Sequence, residues 1–418
     1  MKRLRNGIWT TCILMLLLFM PISALADGPA DFTLGIYGNA NMDDKIDERD
    51  IAYALEVIHG TKPSTNLTDA NYDGKIDEKD IEQIEEVING TEKEITVLDS
   101  ANRTVTINEP VQRIAVYGND VADALRILGA EGKVVGVEKG MEEKVFFPEY
   151  KGLPSIGGWE VDYEAVLAVK PDVVIAYTAQ EVDEKNLPGI TVLKYDFYRA
   201  RQAFSQMKNL GYVLGKEDEA QKYIDFCEKI TDDVKTKVET FPEDERTRVY
   251  IETADPYVTH TSNGATGYQI ALAGGRNMAA DLAGSATGWV EVDAEWVVKE
   301  DPQVIVKMAG WNRGNISSGY ETSDIGDVQK VWDEIKNRPE LAKAKAVQEN
   351  RVHVISFDIT YNPDFIISVA YMAKWFYPDL FKDMDPVAIH QEFIEKFHKK
   401  LKWDVSKEGV FVYPPPAS

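Results

Sequence analysis

Hydrophobic and polar positions divide the chain into stretches of different texture. A nearly continuous apolar run covers 8–25. A strongly polar stretch follows, in which Ile51, Leu55 and Ile58, and then Ile81, Ile84 and Ile88, recur at helical spacing. Each of these predicted helices stops at a Gly-Thr pair, Gly60-Thr61 and Gly90-Thr91. From Ile95 onward, short β-rich runs at 113–117, 134–137, 173–177 and 190–195 alternate with helical segments. The same texture resumes at 249–252, 304–308 and 352–357. Strands alternating with helices predict an α/β chain with parallel sheets covered on both faces. Between the two sets, 217–240 carries Ala220, Tyr223, Cys227, Ile230, Val234 and Val238 on one face. It contains no Gly or Pro before Phe241-Pro242. This predicts one helix about 36 Å long.

The β-rich part repeats itself. Residues 161–175 read Val-Asp-Tyr-Glu-Ala-Val-Leu-Ala-Val-Lys-Pro-Asp-Val-Val-Ile, and 292–306 read Val-Asp-Ala-Glu-Trp-Val-Val-Lys-Glu-Asp-Pro-Gln-Val-Ile-Val. Both predict a short helix, a proline-marked turn and a buried strand. Two lobes of like construction therefore flank the long helix. With that helix as the only crossing of the chain, only small lobe movements are expected.

A second repeat lies in the polar stretch. Residues 39–50 and 69–80 place oxygen side chains at positions 1, 3, 5, 9 and 12 of a twelve-residue loop, the spacing that wraps Ca²⁺. The candidate ligands are Asn39, Asn41, Asp43, Asp47 and Asp50 in the first loop and Asp69, Asn71, Asp73, Asp77 and Asp80 in the second. Lys45 and Lys75 would contribute backbone carbonyls. Gly74 fills position 6 of the second loop, where the chain turns sharply. In the first, Asp44 stands at that position and Asn39 replaces an acid at position 1, so the first site should be the weaker. Two such loop-helix units over 33–92 resemble a type I dockerin. That resemblance implies a small all-α calcium module, with Glu48-Arg49 and Glu78-Lys79 facing a cohesin-like protein.

Three basic residues, Lys2, Arg3 and Arg5, precede the first apolar run, which ends Ala24-Leu25-Ala26. This is the pattern of a signal peptide over 1–26 and predicts an extracytoplasmic, secreted or surface-associated protein. Cys12 falls inside that run and does not look like a lipoprotein cysteine. Cys227 then remains alone, which excludes an intrachain disulfide. The formal net charge of −24 argues against nucleic acid as a partner.

The region 95–413 resembles the helix-linked solute-binding proteins that serve ABC importers of iron chelates, haem and cobalamin. The resemblance rests on Leu125-Arg-Ile-Leu-Gly-Ala, Leu153-Pro-Ser-Ile-Gly-Gly, Pro171-Asp-Val-Val, Ala273-Gly-Gly-Arg-Asn and the run 371–385. It implies two Rossmann-like lobes, about 95–212 and 246–413, joined by the helix at 217–240. It also implies that Glu164 and Glu295, which hold equivalent places in the repeat, pair with an ABC permease. A chelate or corrinoid would lie in the cleft between lobes, on loops after the carboxyl ends of the strands. That rule nominates Tyr117, Asn119, Trp159, Tyr177 and Thr178, and from the second lobe His260, Trp289, Trp311, Arg313, Tyr320 and Tyr361. Aromatic walls suit a flat or greasy ligand, and Arg313 could meet a negative group.

The five histidines include no i,i+4 pair, which argues against a bare transition metal as cargo. His260 and His353 fall where a cleft could use them. His59, His390 and His398 are expected at the surface. A dockerin-tethered enzyme of the glycosidase type, whose two acids leave no local signature, and a structural surface protein are the competing readings. No Gly-x-Ser-x-Gly elbow or P-loop supports the enzyme.

Overall fold

The computed structural model describes residues 32–310 and 316–416. The signal-peptide pattern at 1–26 lies outside the described residues, as do Trp311 and Arg313.

The polar stretch folds into two loop-helix units, α1 (Glu48–Ile58) and α2 (Glu78–Asn89). Loop and helix share residues at each junction. Asp47 caps α1 by accepting from the Arg49 N–H, while Asp50 accepts back from the Asp47 N–H at 2.9 Å; Asp77 and Asp80 repeat this at α2. These reciprocal bonds satisfy amides that a helix start leaves open. A hairpin follows, β1 (Glu94–Leu98) and β2 (Thr104–Asn108), paired antiparallel.

Lobe one contains β3 (Ile114–Val116), α3 (Asn119–Ile127), β4 (Val134–Val137), α4 (Tyr163–Val169), β5 (Val173–Ala176), β6 (Thr191–Lys194) and α5 (Ala200–Leu214). Its four strands are parallel in the order β4-β3-β5-β6. The long helix is α6 (Glu217–Val238), about 33 Å at 1.5 Å per residue. Lobe two contains β7 (Arg248–Glu252), β8 (Val258–His260), α7 (Ala265–Leu272), β9 (Arg276–Asn277), β10 (Trp289–Glu291), α8 (Ala294–Glu300) and β11 (Val304–Ala309). It continues with α9 (Gly326–Lys336), α10 (Lys345–Gln348), β12 (Val352–Ser356), α11 (Ile366–Phe376), α12 (Pro386–Phe397) and β13 (Val412–Tyr413). Its sheet runs β13-β12-β11-β7-β9, parallel except for β13. The sequence repeat is a structural repeat. In both copies an Asp caps the helix (Asp162, Asp293), a left-handed residue ends it (Lys170, φ 48°; Asp301, φ 46°), and a buried strand follows.

Contacts between the lobes go well beyond the covalent crossing. The buried face of α6 packs against α5 of lobe one and against α7 and α11 of lobe two. The Tyr223 hydroxyl donates to the Pro363 carbonyl at 2.5 Å. Phe146 stacks on Tyr320 across the lobes at 4.4 Å between ring centres. Buried Asp123 on α3 lies 2.9 Å from Nε2 of His398, which follows α12. His390 and His398 are thus fully buried rather than at the surface: Tyr320 Oη meets His390 Nε2 at 2.7 Å, and a carboxylate holds His398.

The loop-helix module is welded to lobe one. Leu34, Ile36, Ile46 and Ala54 share one buried core with α5. In that interface the Ile46 N–H donates to Tyr212 Oη at 3.1 Å, Asn209 Nδ2 donates to the Gly35 carbonyl at 3.0 Å, and Lys208 Nζ lies 2.7 Å from Asp44 Oδ2. Asp44, which stands where the loop pattern calls for glycine, is therefore used to grip α5.

Candidate functional site

Between the lobes lies a cleft of about 650 Å³. In lobe one its wall starts at the strand-order reversal between β3 and β5, where the carboxyl ends of neighbouring strands leave a crevice. Gly118 turns out of β3 there with φ +92°, and a Cβ on it would fall 2.6 Å from the Tyr177 ring. Only glycine lets Tyr177 lie this close. Tyr177 in turn carries Trp159, stacked with ring centres 6.3 Å apart, and Trp159 is 57% exposed. An indole supported on one face and open on the other offers a flat apolar shelf.

The shelf continues across the cleft. Tyr177 meets Tyr198 edge-on at 6.2 Å, Tyr198 stacks on Tyr361 of lobe two at 5.7 Å and 7°, and Tyr361 stacks on Phe357 at 4.2 Å. Behind Tyr361, its hydroxyl meets Nε2 of buried His260 at 2.9 Å, and His260 Nδ1 meets Thr266 Oγ1 at 2.6 Å. With both ring nitrogens engaged and no carboxylate near, burial lowers the His260 pKa to about 4. The His260 ring also stands edge-on to Trp289, which lines the cleft.

The acids around the cleft are held by protein donors. Glu138 Oε2 accepts from the Gly118 N–H at 3.0 Å, Asp196 from the Thr178 amide and hydroxyl at 3.0 and 2.5 Å, and Asp358 from the Tyr320 N–H at 3.0 Å. Burial raises Asp358 to about 6. Asp120, beneath the wall, is raised to about 7, first by burial and then by Asp196.

Of the nominated residues, Asn119, Trp159, Tyr177, Trp289 and Tyr361 line the cleft. Four described ones do not. Tyr117 is buried in the core, where its hydroxyl donates to the Ile156 carbonyl at 2.5 Å. Thr178 turns to Asp196, and His260 stands behind Tyr361. Tyr320 is packed between Phe146 and Phe411. His353 stacks on Trp375 at 4.3 Å and is also outside the cleft. The nomination missed Glu138, Lys139, Met141, Lys144, Asp196, Tyr198, Phe357 and Asp358. All follow the carboxyl ends of β4, β6 and β12, so the same rule applied to every predicted strand reaches them.

Glu164 and Glu295 are both exposed, in the first turns of α4 and α8. In the second loop, Asp69 Oδ1 and Asn71 Oδ1 accept from the Asp73 N–H at 3.2 and 3.0 Å, and Asp73 Oδ1 accepts from Lys75. Its side-chain oxygens thus turn inward as a hard-ligand loop requires. The first loop makes the same bonds, from the Asp43 N–H to Asn39 and Asn41 at 3.1 and 2.9 Å and from the Lys45 N–H to Asp43 at 3.0 Å, and adds cations. Arg49 lies 2.7 Å from Asp43 and 3.1 Å from Asp47, Lys45 lies 2.8 Å from Asp47, and buried Asn39 donates to the Leu34 and Asp43 carbonyls. Among the described residues no three His, Cys, Asp or Glu side chains already converge as a metal cluster. A cation in the second loop would therefore rely on Asn71 and the Lys75 carbonyl as well as its acids.

Comparison with known proteins bears on this arrangement. The sequence profile of the periplasmic binding protein family matches residues 114–359. An ABC transporter substrate-binding lipoprotein of Bacillus subtilis is 27% identical over 296 residues, 68% of this chain and 86% of that protein. A cobalamin-binding protein of Halobacterium salinarum is 25% identical over 217 residues, 50% of this chain and 57% of that protein. The crystal structure of a TroA-like periplasmic binding protein from Veillonella parvula superposes with a TM-score of 0.61 at 20% identity. It covers 76% of this chain and 98% of its own.

Proposed function

Because the chain belongs to the periplasmic binding protein family, we propose that it captures an iron chelate, haem or corrinoid outside the cytoplasm. It hands that cargo to an ABC permease and performs no chemistry on it. The observation that carries the reading is the cleft itself: an aromatic wall from Trp159 to Phe357, built by both lobes, with the Trp159 indole exposed at one end, around a space sized for a ligand of several rings. Cobalamin-binding proteins among the relatives place a corrinoid among the candidate cargoes, beside iron chelates and haem.

Glu164 and Glu295 are suited to meet the permease. Each stands exposed on the equivalent helix of its own lobe, so a two-lobed protein presents the same contact twice to a partner with two like halves.

The second loop suits Ca²⁺, held by Asp69, Asn71, Asp73, Asp77 and Asp80 with the Lys75 carbonyl. A bound cation would supply charge that draws the carboxylates together and stiffens the start of α2. In the first loop Arg49 and Lys45 already neutralise Asp43 and Asp47, which favours the second loop as the main site. Residues 33–92 would then serve as a dockerin-like docking module, with Glu78-Lys79 and Glu48-Arg49 turned to a cohesin-like protein.

The test is a thermal-shift screen of residues 27–418 with ferric siderophores, ferric citrate, haem and cobalamin. A ligand at 100 times its Kd should add about 2.7 kcal/mol. Trp159→Ala, at a mostly exposed position, should leave the unliganded melting point nearly unchanged while reducing that shift. Silence across all chelates with folded protein would refute the reading.

A further inference from the structure

Among the charged groups lining the cleft, two stand apart. After β4 the chain turns through 138–144. The Lys139 N–H donates to the Gly157 carbonyl at 2.8 Å, the Met141 N–H to Glu138 at 3.0 Å, and the Lys144 N–H to Met141 at 3.2 Å. Gly140 permits the turn with φ +89°, and the buried Met141 side chain anchors it. A fixed turn therefore holds Lys139 at one end and Lys144 at the other, both lining the cleft beside the Trp159–Tyr177 shelf.

The carboxylates that share this lining are engaged by backbone N–H groups, by the Thr178 hydroxyl and, at Asp196, by Arg199 at 3.5 Å. Neither lysine side chain makes a hydrogen bond or an ion pair within 4 Å among the described residues. Asp358, on the far side, still feels the charge of Lys144. The cleft thus offers two ammonium groups that no carboxylate contacts directly among the described residues, next to a flat apolar surface. Such groups keep their donors for a ligand.

We infer that the cleft selects an anionic chelate, whose carboxylate or other negative group is held by Lys139 and Lys144 while its flat face lies on the open face of Trp159. This rests on the chelate-capture reading and narrows it, since a chelate with no negative group would leave both ammoniums unpaired.

Equilibrium titration of residues 27–418 tests it with haem, haem dimethyl ester, ferric citrate and cobalamin as probes. The variants are Lys139→Gln/Lys144→Gln and, as a control, Lys151→Gln, an exposed lysine away from the cleft. The expected result is that haem or ferric citrate binds at least tenfold more tightly than the ester and cobalamin, that added salt weakens it, and that the double variant loses roughly tenfold for the anionic probe alone. The control should bind as the parent does. If the neutral probes bind as tightly as the anionic ones, or the double variant binds every probe unchanged, the lysine inference fails and chelate capture stands. If no probe binds, both fail.

Discussion

Tyr212→Phe is the sharpest test of how the N-terminal module is held. The substitution keeps the ring, which is buried against the module, and removes one oxygen. That oxygen accepts the Ile46 N–H in a buried interface at 3.1 Å. Losing it leaves a buried donor unmatched, a cost of about 1–3 kcal/mol. Lys208→Met, one turn earlier on α5, removes a contact to an Asp44 side chain that is 39% exposed, and such pairs contribute about 0–1 kcal/mol. The two sites are neighbours, so the double variant should fall short of the sum. A loss near 2 kcal/mol raises the opened population of the module by roughly thirtyfold. Hydrogen exchange of the α1 amides in the full mature chain reads this directly. In Tyr212→Phe those amides should exchange faster while the strands of lobe two keep their protection. If α1 exchanges at the parent rate, the bond does not hold the module and the welded interface is wrong.

Three further outcomes follow. Asp69→Asn gives the second loop the residue that Asn39 gives the first, and should weaken a calcium-induced rise in melting temperature about tenfold in calcium concentration, read by titration after EGTA treatment. An unaltered titration would place the ion elsewhere. His260 has its pKa lowered from 6.5 to about 4, so it contributes stability above pH 6.5 that is lost as pH falls toward 4, up to about 3 kcal/mol. Urea midpoints from pH 7 to 4 should therefore fall less steeply in His260→Asn, and parallel slopes would refute the assignment. Glu164→Lys with Glu295→Lys should abolish permease-dependent uptake while leaving chelate binding intact, because both side chains are exposed and neither belongs to the cleft lining. Retained uptake would remove them from docking.

Much of the architecture was legible because it is local or periodic. The seven predicted strand runs all contain strands, and the run predicted as one helix over 217–240 is α6. The paired segments at 161–175 and 292–306 fold alike down to the left-handed residue after each helix, since the same capping Asp and turn proline recur. The cleft was legible only in part. Tyr117 and Tyr177 both follow strands of one sheet, yet one enters the core and the other the cleft. Which way each points depends on sheet twist and on the gap that Gly118 leaves.

The sequence by itself determined the alternation of elements, the duplicated lobes, the loop spacing and the helix caps, because each depends on residues within a few positions of one another. Tertiary structure alone decided which aromatic rings meet across the lobes, which charges remain unpaired at Lys139 and Lys144, and why Asp44 replaces a glycine. Asp44 has its partner in Lys208, and Tyr198 has its partner in Tyr361. Contacts between residues so distant along the chain leave no periodicity or spacing to read, and they exist only once the lobes and the module have packed.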